Sequence, residues 1–270
     1  MVEANVFTGI FFTVFLVILS LAGLRLVRRK IPSEYLATHH DVTDPLLQVV
    51  GMMFAVLLGF MVGDAMQRFQ TARSTVQQEA ASVGDVFRLT EGLPKENRDE
   101  IRARCVRYVD VVVGDEWPKL QQKKTSNAAW KAYDDLWSAC LKLQPKNQAE
   151  SNIQQSILPC MVSVGDNRRM RVEALHNGLP LVLWAVLGIG GIATIIFTFF
   201  FGSSNMRLQS IMTSLIALTI GLNIFLLACY DDPFSGDVMV RSDAFTVDKR
   251  IFNTVLDPSD PYEMNNAVQH

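Results

Sequence analysis

The sequence lacks the short motifs of the common enzyme classes. It holds no GxSxG, no Walker loop, no HExxH and no Rossmann glycine pattern. The carboxylate doublets Asp134-Asp135 and Asp231-Asp232 are adjacent residues whose side chains diverge, so neither forms a general acid/base pair. Excess charge is missing as well. Lys plus Arg number 25 against 27 Asp plus Glu, a formal net charge of -2, which gives no footing for nucleic acid or for a polybasic membrane-surface protein. Cysteine is scarce: Cys105, Cys140, Cys160 and Cys229 show no CxxC or Cys/His ligand spacing. They read as small buried hydrophobes, with a disulfide between two of the first three as the minor alternative. The adjacent pair His39-His40 points two ways on any regular backbone and makes a poor metal site. No internal repeat or low-complexity segment is present, and no basic n-region precedes the first apolar block, so that block does not read as a signal peptide. These absences lead to an expectation of no enzyme activity, no cofactor, no metal and no nucleic-acid partner.

What is present is apolar sequence concentrated in four blocks. The composition, 49% hydrophobic over 270 residues, conceals that concentration. Residues 6–27 form the first block, closed by Arg25, Arg28, Arg29 and Lys30. The second begins near Pro45 as LLQVVGMMFAVLLGFMVG and runs on without a breaker to Pro94. A helix of that length is roughly 70 Å, about twice the hydrocarbon thickness of a bilayer. The expectation is one helix that crosses at 46–65 and continues into water to about 93. Residues 179–202 and 208–230 form the third and fourth blocks, and the short SSNMR linker makes them antiparallel. The fourth carries one strongly polar residue, Asn223, which is expected to bond a neighbouring helix rather than an ion.

Between the second and third blocks, residues 66–177 alternate polar and apolar at helical spacing. One stretch places Ile101, Cys105, Tyr108, Val109, Val112 and Val113 on a face, and another Trp130, Tyr133, Trp137, Cys140 and Leu141 behind a Ser126 cap. A further helix from about Gln148 is expected to be interrupted at Pro159, and it carries Arg168, Arg169 and Arg171. The tail, 231–270, breaks at Pro233, turns at Ser235-Gly236 and ends in a short helix and a polar terminus. The whole is an all-α membrane protein: four transmembrane helices, with a helical extramembrane domain between the second and third.

One pattern points to a task. Met52, Val56, Phe60, Asp64 and Arg68 recur every four residues and form a stripe along the second helix. Several copies around an axis would stack rings of Met52, Val56 and Phe60 into an apolar neck, a device that gates ions by dewetting. A ring of Asp64 would follow, favouring cations weakly unless Arg68 cancels it. The alternative is that this face packs on neighbouring helices.

The stretch VVGMMFAVLLGFMVGDAMQRFQTARSTVQQ resembles the second membrane helix of bestrophin channels, with Leu58-Gly59-Phe60 as the LGF triplet and Arg68-Phe69 as the basic-aromatic step. DDPFSGD is similar to the bestrophin Asn-Pro-Phe-Gly stretch, matched here by Asp232, Pro233, Phe234 and Gly236. Four spans, a long second helix and a helical insert occur in the same order. The chain is thus identified as a member of a bestrophin-like family of membrane proteins. The resemblance implies a pentamer, a central pore lined by Phe60, Val56 and Met52, lipid and self as partners, and permeating monovalent ions. Two departures stand out. Only Asp237 follows the Pro-Phe stretch closely, which speaks against calcium gating, and Met61-Val62-Gly63-Asp64 replaces the usual polar and basic residues, which speaks against anion selectivity. The rival reading is a membrane-anchored sensor or scaffold that uses residues 66–177 to bind a ligand or partner. The expected location is the plasma (inner) membrane. Counting Arg25, Arg28, Arg29, Lys30 and Arg207 as cytoplasmic puts the domain and termini outside, whereas bestrophins keep that domain in the cytosol.

Overall fold

The computed structural model describes residues 5–30, 40–200 and 205–257, and every regular element among them is helical. Their order is α1 (Val6–Lys30), α2 (His40–Leu89), a 3₁₀ turn (Thr90–Gly92), α3 (Lys95–Val111), a π-turn (Val112–Glu116), α4 (Trp117–Gln121), α5 (Asn127–Leu141), α6 (Gln148–Glu173), α7 (Leu181–Phe199), α8 (Met206–Asp231) and α9 (Asp243–Leu256). Helices α1, α2, α7 and α8 are long and apolar enough to cross a membrane. The chain divides into two compact units. One comprises Met1–Phe69, Gly178–Asp232 and Gly236–Met239; the other comprises Gln70–Asn177, Pro233–Ser235 and Val240–His270.

In the first unit the first half of α2 buries one face. Phe54, Leu58, Met61 and Ala65 follow the four-three-four spacing of a helix stripe and join a core with Leu187 and Ile195 of α7 and Ala217, Ile220 and Leu227 of α8. Helices α1 and α8 cross closely because glycine sits at the crossing. A Cβ on Gly221 would lie 3.0 Å from Thr13 Cγ2 and 3.3 Å from the Thr13 Cα. Threonines inside the unit bond back to their own helices, Thr13 to the Gly9 carbonyl and Thr194 to the Gly190 carbonyl, which satisfies these two hydroxyls without water. Asn223 does the same, donating to the Thr219 carbonyl at 2.9 Å, and the expected bond to a neighbouring helix is not made among the described residues. An amide can satisfy itself in its own preceding turn.

In the second unit α2 buries Val76, Ala80, Val83 and Phe87. It ends at Leu89, where the Thr90 hydroxyl bonds the Phe87 carbonyl and Pro94 bars continuation. Ile101, Cys105, Tyr108, Val109 and Val112 are buried as the spacing predicts, but Val113 is only half-buried. The π-turn that starts at Val112 inserts extra backbone and rotates Val113 off the face. The Ser126 hydroxyl caps α5, accepting from the Ala129 N–H at 3.2 Å. The buried face of α5 differs from expectation. It is Ala129, Ala132, Leu136, Ala139 and Cys140, while Trp130, Tyr133 and Trp137 are half-buried and Leu141 is 52% exposed. The small residues let α5 approach closely and the rings close over its flanks. The expected interruption at Pro159 does not occur either. Helix α6 runs through it, losing one backbone bond while Ile157, Met161 and Val164 keep their buried face. The four cysteines are free thiols, three buried and Cys160 half-buried, which removes the disulfide alternative. His39 lies outside the described residues; His40 begins α2.

Candidate functional site

Along the first half of α2, the stripe opposite the buried face is open. Met52 is 69% exposed, Val56 50% and Phe60 75%. Exposed apolar side chains also occur on the other membrane helices, Phe7 of α1 at 87% and Leu181 of α7 at 85%; the α2 line differs in running into the exposed charge of Asp64. Gly59 is also open, with nothing within 4 Å of a Cβ built there. Asp64, one turn beyond Phe60, has a side chain 62% exposed and forms an i,i+4 ion pair with Arg68 at 3.1 Å. Arg68 is shared, lying 3.8 Å from Asp231 at the end of α8. Asp231 in turn accepts the Leu179 N–H at 2.6 Å, just ahead of α7. The ring of Phe69 meets Tyr230 edge-on at 5.2 Å. Two carboxylates and one guanidinium therefore sit together where the apolar stripe ends.

The tail residues divide between two tasks. Gly236 has a φ of 85°, in the left-handed region that glycine adopts without strain, and makes the turn. Asp237 accepts the Val6 N–H at 2.7 Å. Pro233 and Phe234 are buried, and the Phe234 ring meets Trp117 edge-on at 6.1 Å. Asp232 is half-buried beside them. The residue that reaches Arg68 is Asp231, the chain neighbour of the motif residue Asp232.

A second polar constellation was not foreseen. In the second unit Arg171 donates to Glu79 at 2.7 and 2.9 Å and to Glu116 at 2.8 Å, and Arg168 makes a two-pronged pair with Glu116 at 2.7 and 2.8 Å. All four side chains are fully buried. The Tyr108 hydroxyl donates to Glu79, and burial together with the Glu79 charge pushes that phenol well above its usual range, so it stays protonated. Trp130 lies under Arg168 at 4.6 Å and Trp117 under Arg171 at 5.3 Å. Two positive and two negative charges cancel in this network, while Arg168 Nε and Arg171 Nη1 have no hydrogen-bond partner among the described residues. Arg168 and Arg171 fall on one helix face with Arg169 exposed between them; that spacing was the available signal, but the partners are 52 to 92 residues away. No group of three or more His, Cys, Asp or Glu among the described residues is arranged to hold a metal ion.

The family model described as Bestrophin-like domain matches residues 14–245. This chain belongs to the Bestrophin-like family. The fold agrees. A crystal structure of a point mutant of a bacterial bestrophin homologue from Klebsiella pneumoniae superposes with a TM-score of 0.70 at 12% identity, over 90% of this chain and 98% of that one. Another crystal structure of the Klebsiella pneumoniae homologue, phased on zinc, gives 0.69 at 11% identity over 89% and 97%. No curated protein matches the sequence. The bestrophin-like chain is an all-α integral membrane protein, its four apolar helices arranged as in those relatives.

Proposed function

We propose that this bestrophin-like chain assembles as a ring, a pentamer by analogy with bestrophins, and conducts monovalent ions through a neck lined by Met52, Val56 and Phe60. The observation that carries the reading is the uncovered apolar line on α2, directly opposite a well-packed face. Around an axis it becomes a dry constriction, which ions cross only when it wets. Gly59, open beside the stripe, allows close approach of the next copy's helix. The neck mouth is weakly cation-preferring. Among the described residues Arg68 is shared between Asp64 and Asp231, and Asp64 is the more exposed acid. Residues 66–177 form an extramembrane domain, and the protein resides in the plasma (inner) membrane. The charge rule orients it with that domain outside. Arg28 Nε donates to Gln209 at 2.9 Å, which brings the basic end of α1 beside the first turn of α8, where Arg207 lies. The family analogy would place the domain in the cytosol.

Planar-bilayer recording of the purified protein tests the neck. The wild type should show small basal currents, and a variant with both Val56→Ala and Phe60→Ala should raise them several-fold by widening and wetting the constriction. A folded ring that carries no current in either form would return the protein to the class of anchored scaffolds.

A further inference from the structure

Helix α9 is strongly amphipathic and turns two fully buried phenylalanines toward the rest of its unit. Phe252 stacks on Phe87 of α2 with ring centroids 4.1 Å apart, and Phe245 meets Trp117 of α4 at 5.9 Å. One residue on that docking face is wrong for it. Asp248 lies between the two phenylalanines, and its Oδ1 is placed against the backbone of α2 at Gly84, where a Cβ would come within 3.4 Å. Its Oδ2 is buried and has no hydrogen-bond partner. Asp248 as a residue is half-buried, and a carboxylate with one buried, unsatisfied oxygen costs more when ionised than when protonated.

We propose that α9 is a proton-operated latch: it docks on α2 and α3 when the Asp248 carboxyl is protonated and lets go when that carboxyl ionises, baring the surface around Phe87. The charged groups around Asp248 fit this role. Asp85 on α2 repels its anion and Arg88, also on α2, attracts it; burial, the largest influence, raises its pKa to about 7. On α3 the facing group is the Cys105 thiol, itself pushed well up by burial and kept neutral. The helix also carries a half-exposed ion pair, Lys249 with Asp110 of α3 at 2.7 Å, which contributes little. Docking through Phe245 and Phe252 is what supports the helix. Ser242 makes no side-chain cap, and 14 residues are too few for a stable isolated helix. Because docking raises the carboxyl's pKa from its ordinary value of 3.8 to about 7, the extra stability of the docked state is complete below the lower value and is lost progressively as pH rises to the upper one.

Hydrogen exchange of the full chain in detergent, corrected for the pH dependence of chemical exchange, tests the latch between pH 5 and 9. Protection of the α9 amides should fall about tenfold per pH unit up to a break at about pH 7 and be level above it, one proton being taken up on docking. Amides of α5 should not change. Asp248→Asn, neutral at every pH, should remove the transition. Asp85→Asn should move the break down in pH, and Arg88→Gln should move it up, by electrostatics alone and without touching the docking face. A flat wild-type profile, a transition that persists in Asp248→Asn, loss of protection in α5 together with α9, or charge variants that shift the break in the same direction would each overturn the proposal.

Discussion

Individual residues carry the sharpest expectations. Glu116 lies at the end of the π-turn and is the only carboxylate bonded to both Arg168 and Arg171 among the described residues. Glu116→Ala would strand the buried Arg168 guanidinium and leave Arg171 with Glu79 as its carboxylate partner. The variant should lose about 3–5 kcal/mol of stability, read as a large drop in the thermal midpoint of the detergent-solubilised protein. Glu116→Gln should recover part of it by keeping one acceptor. Asp64 is the residue for selectivity. Asp64→Asn should shift the reversal potential in a salt gradient toward anions and leave Arg68 paired with Asp231. Clear anion selectivity in the wild type, or no change in the variant, would move the selectivity-determining charges elsewhere.

At the scale of elements, α1 and α8 lean on each other through glycine. A side chain at Gly221 meets the backbone of Thr13, which cannot swing aside as a side-chain tip would. Gly221→Leu should force the helices apart and cost about 1–3 kcal/mol, visible as a lower unfolding midpoint and increased exchange in α1. The same substitution at Gly59 meets nothing within the chain. Elements also differ in how legible they were. Helix α2 announced itself by its length and by Pro94, and α5 by its cap. The continuation of α6 through Pro159 could not be read, because local propensity opposed it and only the burial of Ile157, Met161 and Val164 on one face outweighs the lost bond. The π-turn at Val112–Glu116 was equally silent: its five residues, VVGDE, carry no local signal for a change of helical period.

For the whole molecule the ring is the testable statement. Protein extracted in mild detergent should have the mass of a pentamer, and a monomer or dimer across several detergents would remove the neck. Gly59→Leu should leave the protomer folded but reduce the assembled fraction, since the open side of α2 is where the next copy approaches. Orientation is settled by labelling an Ala128→Cys variant, exposed just inside α5, with an impermeant thiol reagent. Labelling in intact cells supports the charge rule; protection supports the cytosolic arrangement of the family.

The sequence by itself determined the number of membrane helices, the long second helix, and the family to which the chain belongs. These rest on contiguous signals, since hydropathy, helix periodicity and breakers act within a few turns of the chain. Tertiary structure decided what those residues meet. The pairing of Arg68 with Asp231, the choice of the alanine face of α5, the clamp of Glu79, Glu116, Arg168 and Arg171, and the seat of Asp248 against Gly84 all join residues far apart in sequence. A carboxylate reads as solvated until the fold removes its water, so burial of charge is a property of the packed molecule and not of any local stretch.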